Sequence, residues 1–205
     1  MSVLKQLNDY SEMLAALPEN DPIIENELLK NPINTSKCIR RPNFDIPITT
    51  IIISLDNGSR TIFHYRGNLV EPKFEEFREK IPKPEEYSWI HFEGRNTTEV
   101  KKMLEYVYER RKNLNFTRPK ISIELEKIRP PPWLEQLIPY ADVIFMSKDY
   151  ARSKGWNTKI EAVNKLFYEV CTHKPLVICP WADEITYPKN LSQSKGITQK
   201  KSPIP

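Results

Sequence analysis

The 205-residue chain is poor in glycine. It has five, Gly58, Gly67, Gly94, Gly155 and Gly196, and no two stand close together. That spacing excludes a Gly-x-Gly-x-x-Gly loop, a Gly-x-x-x-x-Gly-Lys-Ser/Thr loop and any glycine-rich cradle of backbone amides. Cysteine is scarcer still. Cys38, Cys171 and Cys179 are odd in number and irregular in spacing, which is no disulfide framework. No Cys-x-x-Cys or Cys/His cluster suggests zinc. The three histidines, His64, His91 and His173, are scattered, and they define no Ser/His/Asp set. His64 and His91 fall within predicted strands and read as packing residues. Trp89, Trp133, Trp156 and Trp181 read as packing anchors. No apolar run approaches the ~20 residues of a membrane span. Asn8, Asp9, Glu12, Glu19 and Asp21 break up the first residues, where a secretory signal would be apolar. A reducing, cytoplasmic location and no membrane partner are the expectations.

A hydrophobic fraction of 39% and a charged fraction of 28% suit a soluble globular protein large enough for one domain and a small appendage. The net charge of +4 is mild, and no dense basic cluster is interleaved with aromatics, so a nucleic-acid partner is not expected. Pro188 to Pro205 holds four lysines and no acidic residue, and reads as a disordered basic tail.

Residues 1–22 suggest a short helix with Leu4, Leu7, Met13, Leu14 and Leu17 apolar, broken by Pro18 and Pro22. A second helix is expected over 23–30. Between Thr49 and Tyr65 two β-rich runs flank Asp56-Asn57-Gly58-Ser59. Asn-Gly between such runs is a strong hairpin signal. Beyond it strands and helices alternate: strand 88–92, helix 97–112, strand 120–125, a break at Pro130-Pro131-Pro132, a short helix near 133–138, strand 142–146, helix 148–153 with Ser147 as its N-cap, helix 158–172 and strand 175–180. Such alternation predicts an α/β fold with a mainly parallel, doubly wound sheet.

Ligands of such sheets sit beyond the carboxyl ends of the strands. Those ends are Glu93-Gly94-Arg95, Glu124 to Lys127, Ser147-Lys148-Asp149 and Trp181 to Glu184, and all carry charge. In Trp89-Ile-His-Phe-Glu-Gly-Arg-Asn96, Asn96 is placed to cap the next helix, with Glu99 at capping-box spacing. Read locally, the stretch suits either an ordinary strand-to-helix turn with a surface arginine or an anion-binding turn, where amides, helix dipole and guanidinium all favour negative charge.

The same stretch resembles the strand and turn of ketohexokinases, the hepatic-type fructokinases of the ribokinase-like (PfkB) carbohydrate kinases. Ile121-Ser-Ile-Glu-Leu-Glu-Lys127 resembles their next strand. Ala141-Asp-Val-Ile-Phe-Met-Ser-Lys-Asp149, followed by Gly155-Trp156, resembles the third, and Pro175 to Glu184 the fourth. The hairpin at 49–65 is similar to their antiparallel, lid-like segment. The match runs in order from Ile23 to Glu184. It implies an incomplete ribokinase-like fold with a divergent segment 1–22, a partial kinase domain 23–187 and a tail 188–205. It implies ATP-dependent phosphorylation of D-fructose to fructose 1-phosphate, with magnesium and a potassium dependence. Arg95 resembles the arginine that reaches the nucleotide phosphates; Ala182, Asp183 and Glu184 resemble the start of the segment that touches base and ribose. Partners implied are ATP, a ketose sugar, and a second copy or a full-length kinase.

The departures lie toward the two ends. Nothing in 1–22 matches the family's substrate aspartate or its Gly-Gly-Asn sugar segment. The Gly-Ala-Gly-Asp whose amides form the anion hole and whose aspartate is the general base does not occur in these residues, and Ile185 stands where a glycine is expected. The Asn-x-x-Glu magnesium motif would fall at Ser147-Lys148-Asp149-Tyr150, which has neither residue. The expectation is therefore a chain truncated at both ends, inactive alone and marginally stable, with no catalytic residue of its own.

Overall fold

A computed structural model describes residues 7, 9–56, 60–65, 67–126, 133–181 and 184–186. The hairpin tip 57–59, the proline run 130–132, the expected tail from 188 onward, and Ala182 and Asp183 lie outside the described residues. The chain divides into two compact units, Met1–Pro82 and Lys83–Pro205.

In the first unit the expected N-terminal helix is not found among the described residues. Instead β1 (Ala16–Pro18) pairs in parallel with β2 (Ile39–Arg41). The reason is tertiary. The Met13 amide donates to the Asn34 carbonyl at 2.9 Å and the Ile39 amide to the Ala15 carbonyl at 2.9 Å, so this stretch takes its hydrogen bonds from a distant strand. The next helix, α1 (Pro22–Lys30), forms as expected. Pro22 occupies its first turn and starts the helix, and the Asp21 carboxylate accepts from the amides of Ile23 and Ile24 at 2.9 and 3.1 Å. A helix that the sequence pattern had not shown, α2 (Phe74–Lys80), is tied to β2 by a forked pair. Arg41 Nη1 and Nη2 reach the Glu76 carboxylate at 2.5 and 2.7 Å, which holds that carboxyl below its usual range.

The hairpin is present: β3 (Ile48–Ile53) and β4 (Arg60–Tyr65) pair antiparallel, with Ile51 opposite Ile62 and Thr50 opposite Phe63. Thr49 Oγ1 lies 2.7 Å from His64 Nδ1 across the strands. Both faces of the ribbon are open, and Ile51, Ile52, Ile62 and Phe63 are each about half exposed or more.

In the second unit β5 (Trp89–Phe92), β6 (Lys120–Leu125), β7 (Val143–Met146) and β8 (Leu176–Trp181) run parallel in that order, and β9 (Glu184–Thr186) folds back antiparallel on β8. Between them come α3 (Thr97–Asn113), a 3-10 helix (Leu134–Tyr140), α4 (Lys148–Ser153) and α5 (Lys159–Lys165). The helix expected over 158–172 is α-helical only to Lys165. It continues as a π turn, Leu166–Val170. Successive strands are immediate neighbours, so right-handed crossovers all leave on one face. That face carries Phe92, Ile121, Ile123, Leu125, Ile144, Met146, Val177 and Cys179, all buried, beneath Leu104 and Val107 of α3, Leu137 of the 3-10 helix and Val163 of α5. Burial pushes the Cys179 thiol up to about 11, so it acts as a small hydrophobe. At the opposite end from the carboxyl edge, Asp142 locks the sheet. It accepts from Arg111 Nη1 at 2.6 Å and from the Ile121 amide at 2.8 Å.

Candidate functional site

The carboxyl edge of the parallel strands gathers the charged residues that the sequence singled out. At the end of β5, Gly94 is buried against β6. A Cβ there would stand 2.5 Å from the Glu124 carbonyl oxygen and 2.9 Å from Leu134 Cδ2. No side chain fits, so glycine is required by close approach. The ends of β6 and β7 are tied in turn. The Ser147 amide donates to the Leu125 carbonyl and the Ser147 hydroxyl to the Glu126 carbonyl, both at 2.9 Å. Ser147 also caps α4, as expected, by accepting from the Tyr150 amide at 3.0 Å.

Arg95 follows Gly94 on the surface. Its Nε is paired with the Glu93 carboxylate at 2.6 Å, and both side chains are more than half exposed. Such a pair contributes little to stability, and an incoming anion can compete with Glu93 for the guanidinium. Two residues later begins α3, whose dipole places partial positive charge beside Arg95. The cap expected at Asn96 is different. Asn96 lies in the left-handed region (φ 38°, ψ 54°) and its side chain makes no capping bond. Asn tolerates that backbone, which turns the chain from strand to helix. Glu99, expected to complete a capping box, pairs instead with Lys102 at 2.6 Å.

At the far side of the edge, Trp181 ends β8. Lys148 Nζ lies 5.6 Å and Arg152 Cζ 5.9 Å from its ring centroid, so two cations from α4 lie against one indole. The sequence reading had treated Trp181 as packing and had not singled out Arg152. Lys148 and Arg152 stand four apart on a helix that opens at a strand end, and that spacing was the available signal. Glu184, in β9, pairs by backbone with Trp181. Arg95 follows β5 and Trp181 ends β8, and those two strands are three places apart, about 14 Å at ordinary strand spacing.

Among the described residues no group of three His, Cys, Asp or Glu is placed to hold a metal ion. Among those residues, too, no helix is long and apolar enough to cross a membrane.

No family model matches the sequence. It is 35% identical over 153 residues to the ketohexokinase of Mus musculus, a match covering 74% of this chain and 50% of that protein. The chain thus spans about half the length of this curated relative. Among solved structures, it superposes on the ribokinase of Giardia lamblia with a TM-score of 0.62 at 10% identity, covering 90% of this chain and 57% of the other. The fructokinase of Vibrio cholerae O395, in its fructose, ADP and calcium ion bound form, gives a TM-score of 0.62 at 15% identity, covering 98% and 65%. These likenesses show the fold.

Replacing Gly94 by alanine must displace the Glu124 backbone or break the β5 end. We expect Gly94→Ala to lower unfolding free energy by about 1–3 kcal/mol in urea denaturation, as overpacking does. An unchanged midpoint would show that the close approach is relaxed in solution.

Proposed function

This chain is a homologue of ketohexokinase built on the ribokinase-like α/β fold, and on that premise we propose that it holds the nucleotide side of a sugar-kinase site. The observation that carries the proposal is the approach of Lys148 and Arg152 to the Trp181 ring at the strand ends. A flat aromatic ring with two cations suits a nucleotide's base and phosphates. Arg95 and the start of α3 supply the same sign of charge across the edge, over a span that an extended nucleoside triphosphate can bridge. In this reading Arg95, Lys148 and Arg152 attract and orient phosphates, and Ala182, Asp183 and Glu184 meet the base and ribose. Residues 23–187 act as the partial kinase domain. Magnesium would arrive with the nucleotide phosphates, and potassium would accompany it as in the relatives that the sequence resembles.

The reaction of the intact relative, transfer of a phosphoryl group from ATP to D-fructose to give fructose 1-phosphate, requires more than this. Phosphoryl transfer depends on positioning and charge stabilisation. The absent general base accounts for ~10²–10⁴ in rate, and absent oxyanion donors for another ~10²–10³. We propose that these 205 residues bind nucleotide without phosphorylating sugar. A cytoplasmic setting agrees with three buried, unpaired cysteines.

A second reading rests on the hairpin. A two-stranded ribbon open on both faces is marginal in water alone, and its exposed Ile51, Ile52, Ile62 and Phe63 form the sort of apolar surface that partners cover. A second copy or a full-length sugar kinase would cover it, which makes the chain a non-catalytic binding or regulatory partner.

Calorimetric titration with ATP should give binding whose affinity falls roughly 10- to 100-fold in Arg95→Ala, the loss of one charge-assisted contact. ATP-dependent fructose phosphorylation by the purified 205-residue protein, above an Arg95→Ala control, would overturn the non-catalytic reading. For the hairpin, light scattering after size exclusion should report a dimer, or a complex with an intact ketohexokinase, that Ile52→Lys and Phe63→Lys together abolish. A monomer indifferent to both substitutions would remove the second reading.

A further inference from the structure

The sheet face opposite the helical crossovers carries a three-residue chain that the nucleotide reading does not use. Trp89 Nε1 donates to Ser122 Oγ at 2.7 Å, and Ser122 Oγ lies 2.8 Å from His91 Nδ1. Ser122 is fully buried although its strand neighbours on this face are not, because Trp89 and His91 close over it. The His91 ring also meets the Phe145 ring edge-on, at 5.8 Å between centroids. The donor inventory fixes the direction of the chain. An indole N–H can only donate, so Ser122 Oγ accepts from Trp89. Among the described residues the hydroxyl proton is then directed at the Nδ1 lone pair of His91. His91 is accordingly the neutral tautomer with its proton on Nε2.

We propose that Trp89, Ser122 and His91 form a proton-gated latch that holds the outer strand β5 to β6. Protonation puts an N–H on Nδ1. Ser122 Oγ then faces two N–H donors, and its own proton has no acceptor in a place that water does not reach. A buried donor left unmet costs more than the bond itself contributed. The chain must open, and it spans the β5–β6 pairing on its open side. The turn through Gly94 and Arg95 continues directly from the strand so loosened.

The sign of the pH dependence follows. The His91 ring is partly exposed, and its desolvated side holds the pKa below its ordinary 6.5, against an opposing pull from Glu93. The loosened form therefore binds more protons, and the latch is complete above about 6.5 and fails as pH falls toward the folded value. The charged groups facing His91 are Glu93 from β5, engaged with Arg95, and Lys120 and Glu124 at same-face positions of β6. Phe145 faces it from β7 without charge.

The test is NMR of the whole chain between pH 8 and 5, following the His91 ring, the Trp89 indole N–H and exchange protection of the Trp89–Phe92 amides. His91 should titrate below 6.5, the Trp89 indole should shift with the same midpoint, and β5 protection should fall by up to tenfold per pH unit. His91→Gln should flatten both responses, and Ser122→Ala should uncouple the indole from the imidazole. A Trp89 indole that ignores the His91 titration overturns the proposal, as does β5 loosening that persists in His91→Gln. The wild-type titration decides alone should either variant not fold.

Discussion

The missing side chain at Gly94 is the constraint on which the rest of the carboxyl edge depends. With no Cβ there, β5 can end against the carbonyl of Glu124 and beneath Leu134, and the chain can turn at once into α3. That closeness brings the positive end of a 17-residue helix and the Arg95 guanidinium to the same point of the sheet edge. The neighbouring ends are fixed by ordinary means. Ser147 spends its amide and hydroxyl on the carbonyls that finish β6, and the same hydroxyl oxygen starts α4. α4 in turn carries Lys148 and Arg152 to Trp181. Each link is short, so displacement at one strand end is felt at the next.

Below that edge the sheet has two unlike faces. The helical side is dry and close-packed, and it sets the strand order. The other side is held by polar detail, with Trp89 and His91 folded over Ser122, and it is there that stability can answer to pH. The two units also differ. The second has a continuous apolar core, whereas the first rests on short strand pairs, a capped helix and the forked Arg41–Glu76 pair. Its hairpin leaves apolar residues of both faces in solvent, which a protein keeps when something else covers them.

Much of this was legible in the sequence. The strands of the second unit showed themselves because every second residue of a β-rich run is apolar and packs under the helices, as in Ile121-Ser-Ile-Glu-Leu125. Asn57-Gly58 announced the hairpin, and Ser147 announced α4. The helix expected over 1–22 misled because its apolar residues have helical spacing, while Met13, Ala15 and Glu19 bond to residues 34–41, a partner that no local pattern reveals. Pro22 looked like a stop and proved to be a start, since Asp21 before it is a cap. Asn96 carries the right residue type for a cap but is used for its tolerance of the left-handed region. The grouping of Lys148, Arg152 and Trp181 joins the start of the β7–β8 crossover to the end of the strand it leads into, and only the sheet brings it together. The resemblance to ketohexokinases identified the fold from residues that still form it, while the motifs that would complete a reaction are absent from these 205 residues.

The account turns on the strand ends being half of a nucleotide site. The most direct measurement is an NMR titration with ADP, reading the Trp181 indole N–H and the Arg95 Nε–H in one spectrum. Both resonances should shift with a single, saturable dissociation constant. Saturable shifts elsewhere in the chain with these two unmoved, or no saturation at any attainable ADP concentration, would contradict it.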